Sequence, residues 1–133
     1  MISIQKSLKT FILFCIFSSP CYAEWTRVAV NNNANWFIDE STLIVDGHIR
    51  RIWVMNDQLL EPNKDSSRSA KLLVNYDCQE KRSSFLQGFS YSGQLGAGSL
   101  VNSATYAESW KFAAPGTIHA KILEAACMLP SSK

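Results

Sequence analysis

Ala70-Lys71-Leu72-Leu73-Val74-Asn75-Tyr76-Asp77-Cys78 decides the fold. Ala70, Leu72, Val74 and Tyr76 fall on one side of an extended chain, and Lys71, Leu73, Asn75 and Asp77 on the other. A period of two marks a strand with one face on a core. The strand ends at Cys78, so a bond made by that sulfur would anchor whatever covers the apolar face.

Working upstream, Glu61 to Ser69 is rich in Pro, Asn, Asp and Ser and reads as a polar loop. His48 to Leu59 is the longest strand candidate. One side carries Ile49, Arg51, Trp53 and Met55; the other carries His48, Arg50, Ile52 and Val54. Both sides are apolar at the centre, which predicts a central strand covered on both faces. A helix would cover one face, leaving the other to a partner chain, a homodimer among the options. Asp46-Gly47 is a hairpin signal. Trp25–Val30 and Trp36–Asp39 are aromatic, β-branched strands, separated by the Asn31–Asn35 turn, and Leu43–Val45 continues the second after a bend.

Downstream, Ser84 to Tyr91 alternates, Ser92 to Gly98 is a flexible turn, Leu100 to Tyr106 is a weaker strand, and Trp110–Phe112 is a short extended piece. The period then changes. Thr117 is an N-cap candidate, and Ile118, Ile122, Ala125 and Ala126 line one helical face up to Met128. The prediction is an α+β domain: an antiparallel β-meander of about six strands, one C-terminal helix packed on it, and one disulfide. Its expected core comprises Trp25, Ile38, Trp53, Tyr76, Trp110, Ile118 and Ile122.

Residues 1–23 read as an address. Lys6 and Lys9 precede the apolar run Phe11–Phe17, Ser18-Ser19-Pro20 breaks it, and Cys21-Tyr22-Ala23 ends on small residues. That is the pattern of a secretory signal. The run is far short of the roughly 20 residues of a membrane-spanning helix. Neither Cys15 nor Cys21 has the flanks of a good lipid acceptor. Cleavage would leave residues 24–133 as one exported domain, in the periplasm or at the outer cell surface.

Cleavage also changes charge and sulfur content. Of 13 Lys and Arg, Lys6 and Lys9 leave, so 11 basic residues face 11 acidic ones. A balanced domain has no strong pull on nucleic acid or anionic lipid, and no nucleic-acid partner is expected. Cys78 and Cys127 remain, and two cysteines in an oxidising compartment pair most often. Two free thiols or a shared metal are the alternatives. Zinc needs four ligands, and His48 and His119 show no ligand spacing to either cysteine.

No catalytic residue, cofactor site or metal ligand set is assigned. Gly88-Phe89-Ser90-Tyr91-Ser92-Gly93 misses the nucleophile elbow by one place, and no helix follows it. Gly93, Gly96 and Gly98 lack phosphate-loop spacing. His48 and His119 have no orienting partner in sequence. The acid pairs Asp39/Glu40, Asp57/Glu61 and Asp77/Glu80 lie close to turns. Arg50-Arg51, Lys64/Arg68/Lys71 and Lys81-Arg82 are basic clusters, of which Lys64, Arg68, Lys81 and Arg82 are candidates for contact with a partner.

The order of the pieces resembles the surface-adhesin protein E-like family of small exported proteins from Gram-negative bacteria. Trp25-Thr26-Arg27-Val28 is similar to the opening strand, and Trp36-Phe37-Ile38-Asp39 with Ser41 and Leu43-Ile44 to an aromatic-Ile-Asp segment. Ile49–Met55 matches the strand with a central Trp. Ser69-Ala70-Lys71, Tyr76-Asp77-Cys78 and Lys81-Arg82 match the cysteine strand. Tyr91-Ser92-Gly93, Trp110, Pro115-Gly116-Thr117 and Cys127 close the pattern. The resemblance implies an antiparallel sheet with a C-terminal helix and a disulfide, and a non-enzymatic binding role at the envelope. The reading adopted is a non-enzymatic exported binding domain with a protein partner, either a host extracellular-matrix protein or an envelope component; the alternatives are a periplasmic envelope-associated or stress protein without a host partner, and a small hydrolase.

Overall fold

The computed structural model describes residues 24–131, so the signal assigned to residues 1–23 lies outside the described residues. The chain forms β1 (Trp25–Val30), β2 (Ala34–Asp46), β3 (Ile49–Gln58), β4 (Ser69–Asp77), β5 (Arg82–Tyr91), β6 (Leu100–Thr105), β7 (Lys111–Phe112) and α1 (Ile118–Met128). Strands β1 to β6 pair in chain order, every pair antiparallel, and the two-residue β7 pairs with the start of β5. This is the expected meander with its C-terminal helix.

The register explains the core. Ile38 lies opposite Val54, Val54 opposite Leu72, and Ile52 opposite Val74. Opposed residues share a face, so these side chains and Tyr76 form one apolar surface. Ile122, Leu123 and Ala126 of α1 bury it. Thr117 caps the helix, its hydroxyl oxygen accepting from the Ala120 N–H at 3.2 Å. The Cys78–Cys127 disulfide, with Cα atoms 5.8 Å apart, ties the end of α1 to the end of β4.

No basic residue occupies the last turn of α1. Arg50 of β3 supplies the charge instead. Its guanidinium donates to the Ala126 carbonyl at 3.1 Å and to the Leu129 carbonyl. A cation at these otherwise unpaired carbonyls is favoured by the helix dipole.

The expected core divides between two faces. Ile38, Tyr76 and Ile122 are buried against one another, with Ile118 half-buried at the margin. Trp25, Trp53 and Trp110 lie outside this core and are half-buried. For Trp25 and Trp53 the reason is strand parity: Trp25 opposes Asp39, Asp39 opposes Trp53, and Trp53 opposes Leu73, all on the far face. There the Trp53 ring stacks on Phe89 at 6.0 Å, and the Lys71 ammonium lies 5.7 Å from Trp25 and 5.3 Å from Tyr91.

The far face is closed at one end by the chain itself. The segment after β5 folds back over it as a single 3₁₀ turn at Gln94–Gly96. The Leu95 N–H donates to Asp57 Oδ1 at 2.7 Å, and the Gly96 N–H to Ser69 Oγ at 2.9 Å. The Gln94 side-chain amide donates to the Gln58 carbonyl at 2.9 Å. Gly96 sits at φ +76 with the Lys71 stem against it, where a Cβ would lie only 2.7 Å from Lys71 Cε. Ser92–Gly98, which reads in sequence as a flexible turn, is therefore tied to the sheet. Buried carboxylate and hydroxyl groups on β3 and β4 hold it there.

A bulge in β2 between Asp39 and Ile44 absorbs the sequence bend. Asp39 Oδ1 accepts from the Ser41 N–H at 3.1 Å, and the Thr42 hydroxyl donates to the Asp39 carbonyl at 2.7 Å. Thr42 Oγ1 also accepts from the Trp53 N–H, so the ladder is completed by a side chain.

Candidate functional site

Helix α1 covers the β1–β4 part of its face. Over β5 and β6 the same face carries two cavities, with the Tyr106 ring in the wall of both.

The first is an apolar groove of about 400 Å³. Its floor is Phe85, its end is the start of α1 with His119, and its outer wall is the returning segment Tyr106–Thr117. Backbone bonds fix that wall: Tyr106 N–H to the Leu86 carbonyl at 3.0 Å, Ala113 N–H to the Lys81 carbonyl at 2.9 Å, and the β7 pairing between. Phe112 stands 73% exposed on the wall beside Lys111. A single exposed phenylalanine is ordinary, but contiguous apolar lining from Phe85, Tyr106, Ala113 and Ala114 is the kind of surface that marks an interaction site.

The second cavity, of about 330 Å³, sets a row of polar side chains beside apolar surface, and is called the polar cavity for the former. Asn56, Ser90 and Asn102 stand along its floor, and the loop between β3 and β4 forms a wall with Asn63, Asp65 and Ser67. The Ser90 hydroxyl donates to Asp65 Oδ2 at 2.7 Å, and the Ser67 N–H to Asp65 Oδ1 at 3.0 Å. Hydrogen bonds from the Ser67 and Ser90 hydroxyls, then the Ser67 N–H, hold the Asp65 carboxyl below its ordinary range. Asn56 is 8% exposed, and its Oδ1 has no hydrogen-bond partner. Gly88 lies under Tyr106: a Cβ there would meet Tyr106 Oη at 3.1 Å and Leu72 Cδ2 at 3.0 Å, so the absent side chain is what lets the ring lie down.

The loop wall owes its shape to a residue that sequence reading passes over. Asn33, in the β1–β2 turn, accepts the Leu60 and Glu61 N–H groups at 2.9 and 2.7 Å and donates to Gln58 Oε1 at 2.6 Å. The tolerance of Asn for turns signals its position, but nothing local signals a partner 28 residues away.

The four basic candidates separate. Lys64 and Arg68 precede β4, and Lys81 and Arg82 follow it, at opposite ends of a nine-residue strand about 30 Å long. Lys64 is exposed on the rim of the polar cavity. Arg68 is half-buried and reaches the Leu60 carbonyl at 3.4 Å. Lys81 is exposed in the β4–β5 turn at φ +56. Arg82 donates to Asp77 Oδ2 at 3.1 Å and lies 4.7 Å over the Trp110 ring, so its charge is already engaged. Burial works to raise the pKa of Asp77. The Glu80 N–H, the Arg82 guanidinium, the Gln79 N–H and nearby His48 outweigh it and hold the carboxyl below its usual 3.8.

The histidines do not meet. His48 stands at the β2–β3 turn, 3.8 Å from Asp77, whereas His119 lines the groove and approaches Trp36 edge-on at 6.4 Å. Ser90 gives its proton to a carboxylate rather than to an imidazole. Among the described residues no group of three or more His, Cys, Asp and Glu could hold a metal ion, and no helix is long and apolar enough to cross a membrane.

Residues 25–128 match the family model of Surface-adhesin protein E. The chain belongs to that family. Adhesin E-type folds are also found among solved structures. A structure of Haemophilus influenzae protein E is 18% identical, covering 77% of this chain and 83% of its own, with a TM-score of 0.55. Protein E from non-typeable Haemophilus influenzae is 17% identical, covering 81% of this chain and 79% of its own, with a TM-score of 0.54. Identities this low establish a shared fold. No curated protein matches the chain in sequence. Membership in an adhesin family agrees with exposed binding surface and makes a protein partner the natural expectation.

Proposed function

We propose that the chain is exported by its residues 1–23 and acts outside the cytoplasm as a non-enzymatic binding domain of the adhesin type. Its partner is a protein, with host extracellular-matrix proteins the class that the family points to. The observation that carries this reading is the apolar groove between β5 and α1, open to solvent and edged by the 73% exposed Phe112. A partner segment would place an apolar side chain against Phe85 and Tyr106. Acidic neighbours on that segment would meet Lys111 and Lys81, the latter in the turn that bonds the groove's outer wall. Lys64 and Arg68 belong to the opposite end of the sheet and would serve a second contact of the same partner.

The direct test is saturable binding of the mature, oxidised domain to immobilised matrix proteins. Phe112→Asp should weaken binding about tenfold, because it puts a charge where the partner's apolar side chain would enter the groove. It should leave the melting temperature unchanged, because an exposed side chain contributes little to the core. No saturable binding to any matrix protein would overturn the host-partner reading. Labelling of intact cells separates surface display from a periplasmic envelope role.

A further inference from the structure

The polar cavity adjoins the apolar groove across Tyr106, and its chemistry differs. We propose that it binds a neutral, hydroxyl-rich ring, the chemistry of a sugar residue.

Hydroxyl groups donate and accept at once, so a site for them needs both kinds of partner within one small space. Side-chain amides of Asn56 and Asn102 supply donors and acceptors together, the Asn102 oxygen also taking the Ser103 N–H, and the Asp65 carboxylate supplies an acceptor; Asn63 is engaged by Gln58 and Ser67 and shapes the wall. Three acceptor positions of that carboxylate are filled by the Ser67 N–H, the Ser67 hydroxyl and the Ser90 hydroxyl. A carboxylate has about four such positions, and the open one is on Oδ2. Asn56 adds the second observation. It is more than nine-tenths buried, lines the cavity and carries an unpaired Oδ1. An orphaned polar atom of that kind is costly to a fold that makes no use of it.

The rest of the lining suits the C–H face of a ring. Leu72, the bare backbone at Gly88 and the Tyr106 ring form an apolar strip beside the polar groups. Lys64 and Asp65 bring opposite charges to the same wall, which favours a ligand without net charge. A volume of about 330 Å³ lies at the small end of ligand pockets and suits one terminal sugar better than a long chain.

The test is a titration of the oxidised mature domain, ¹⁵N-labelled, with glucose, galactose and N-acetylglucosamine. N-acetylneuraminic acid serves as the charged control. At least one neutral sugar should shift the amides of Gly88, Ser90 and Asn102 saturably at millimolar concentration while leaving Phe112 unmoved. Asn56→Leu should weaken that binding about tenfold, the loss of one ligand hydrogen bond. Its melting temperature should hold or rise, since Asn56 Oδ1 bonds nothing in the fold; a purely structural asparagine would lower it. Asn102→Ala, on an exposed edge strand, is the second variant should Asn56→Leu not fold. Absence of saturable shifts, shifts confined to the apolar groove, binding of the acidic sugar alone, or full affinity in both variants would each overturn the proposal.

Discussion

Arg50 joins the middle of the chain to its last element. It reads in sequence as half of a basic pair, yet parity turns it inward while Arg51 stays exposed. Its hydrogen bonds to the Ala126 and Leu129 carbonyls are charge-assisted, so Arg50→Met should lower the unfolding free energy by about 1.5–3 kcal/mol in urea melts. Asp77 is governed by pH. Its folded-state pKa lies below the ordinary 3.8, so the carboxylate adds stability above that value and loses it as pH falls through the folded pKa. Asp77→Asn should therefore be less stable than the parent near neutral pH and should flatten the acid limb of stability against pH. Asn33→Ala removes the acceptor for two loop N–H groups and should cost about 1–2 kcal/mol, with faster amide exchange at Leu60 and Glu61.

The elements were largely visible in the sequence; their depth in the molecule was not. Alternation in Ala70–Asp77 and the four-residue period after Thr117 give the strand and the helix, because each pattern reports which side chains share a face. Trp25 and Trp53 show the limit. A large aromatic in a strand signals a packed face, but a sheet has two, and only pairing register says that these two belong to the one without the helix. The tethering of the turn at Ser92–Gly98 is hidden for a similar reason: its glycines are local, whereas the acceptors on Asp57 and Ser69 that hold it are distant in sequence. Both cavities were illegible, since they lie where Tyr106–Thr117 crosses back over β5. At this scale the disulfide is testable. Replacing Cys78 and Cys127 together by Ser frees a 49-residue separation and should cost about 4 kcal/mol by chain entropy, read from denaturant midpoints.

Across the whole molecule, the helix and the two cavities divide one face of the sheet between them. The helix shields β1 to β4; β5, β6 and the returning segment carry the groove and the polar cavity. The two sites share Tyr106, so they differ in chemistry but not in support. Tyr106→Ala should impair both, whereas Phe112→Asp should touch only the groove and Asn56→Leu only the polar cavity; parallel titrations of the three variants check this separation. Sequence placed the basic candidates in clusters, but the length of β4 sets Lys64 and Arg68 far from Lys81 and Arg82.

The sulfur bridge also imposes an order in time. Cys78 leaves the ribosome long before Cys127, and every strand as well as the helix must be made before the two can react. Until then the apolar side of the meander has no lid, and the nascent domain is exposed to mispairing and proteolysis. On the proposed export route, the bond would close only after Cys127 had reached an oxidising compartment. Conditions that slow thiol oxidation should deplete the mature protein without altering its synthesis.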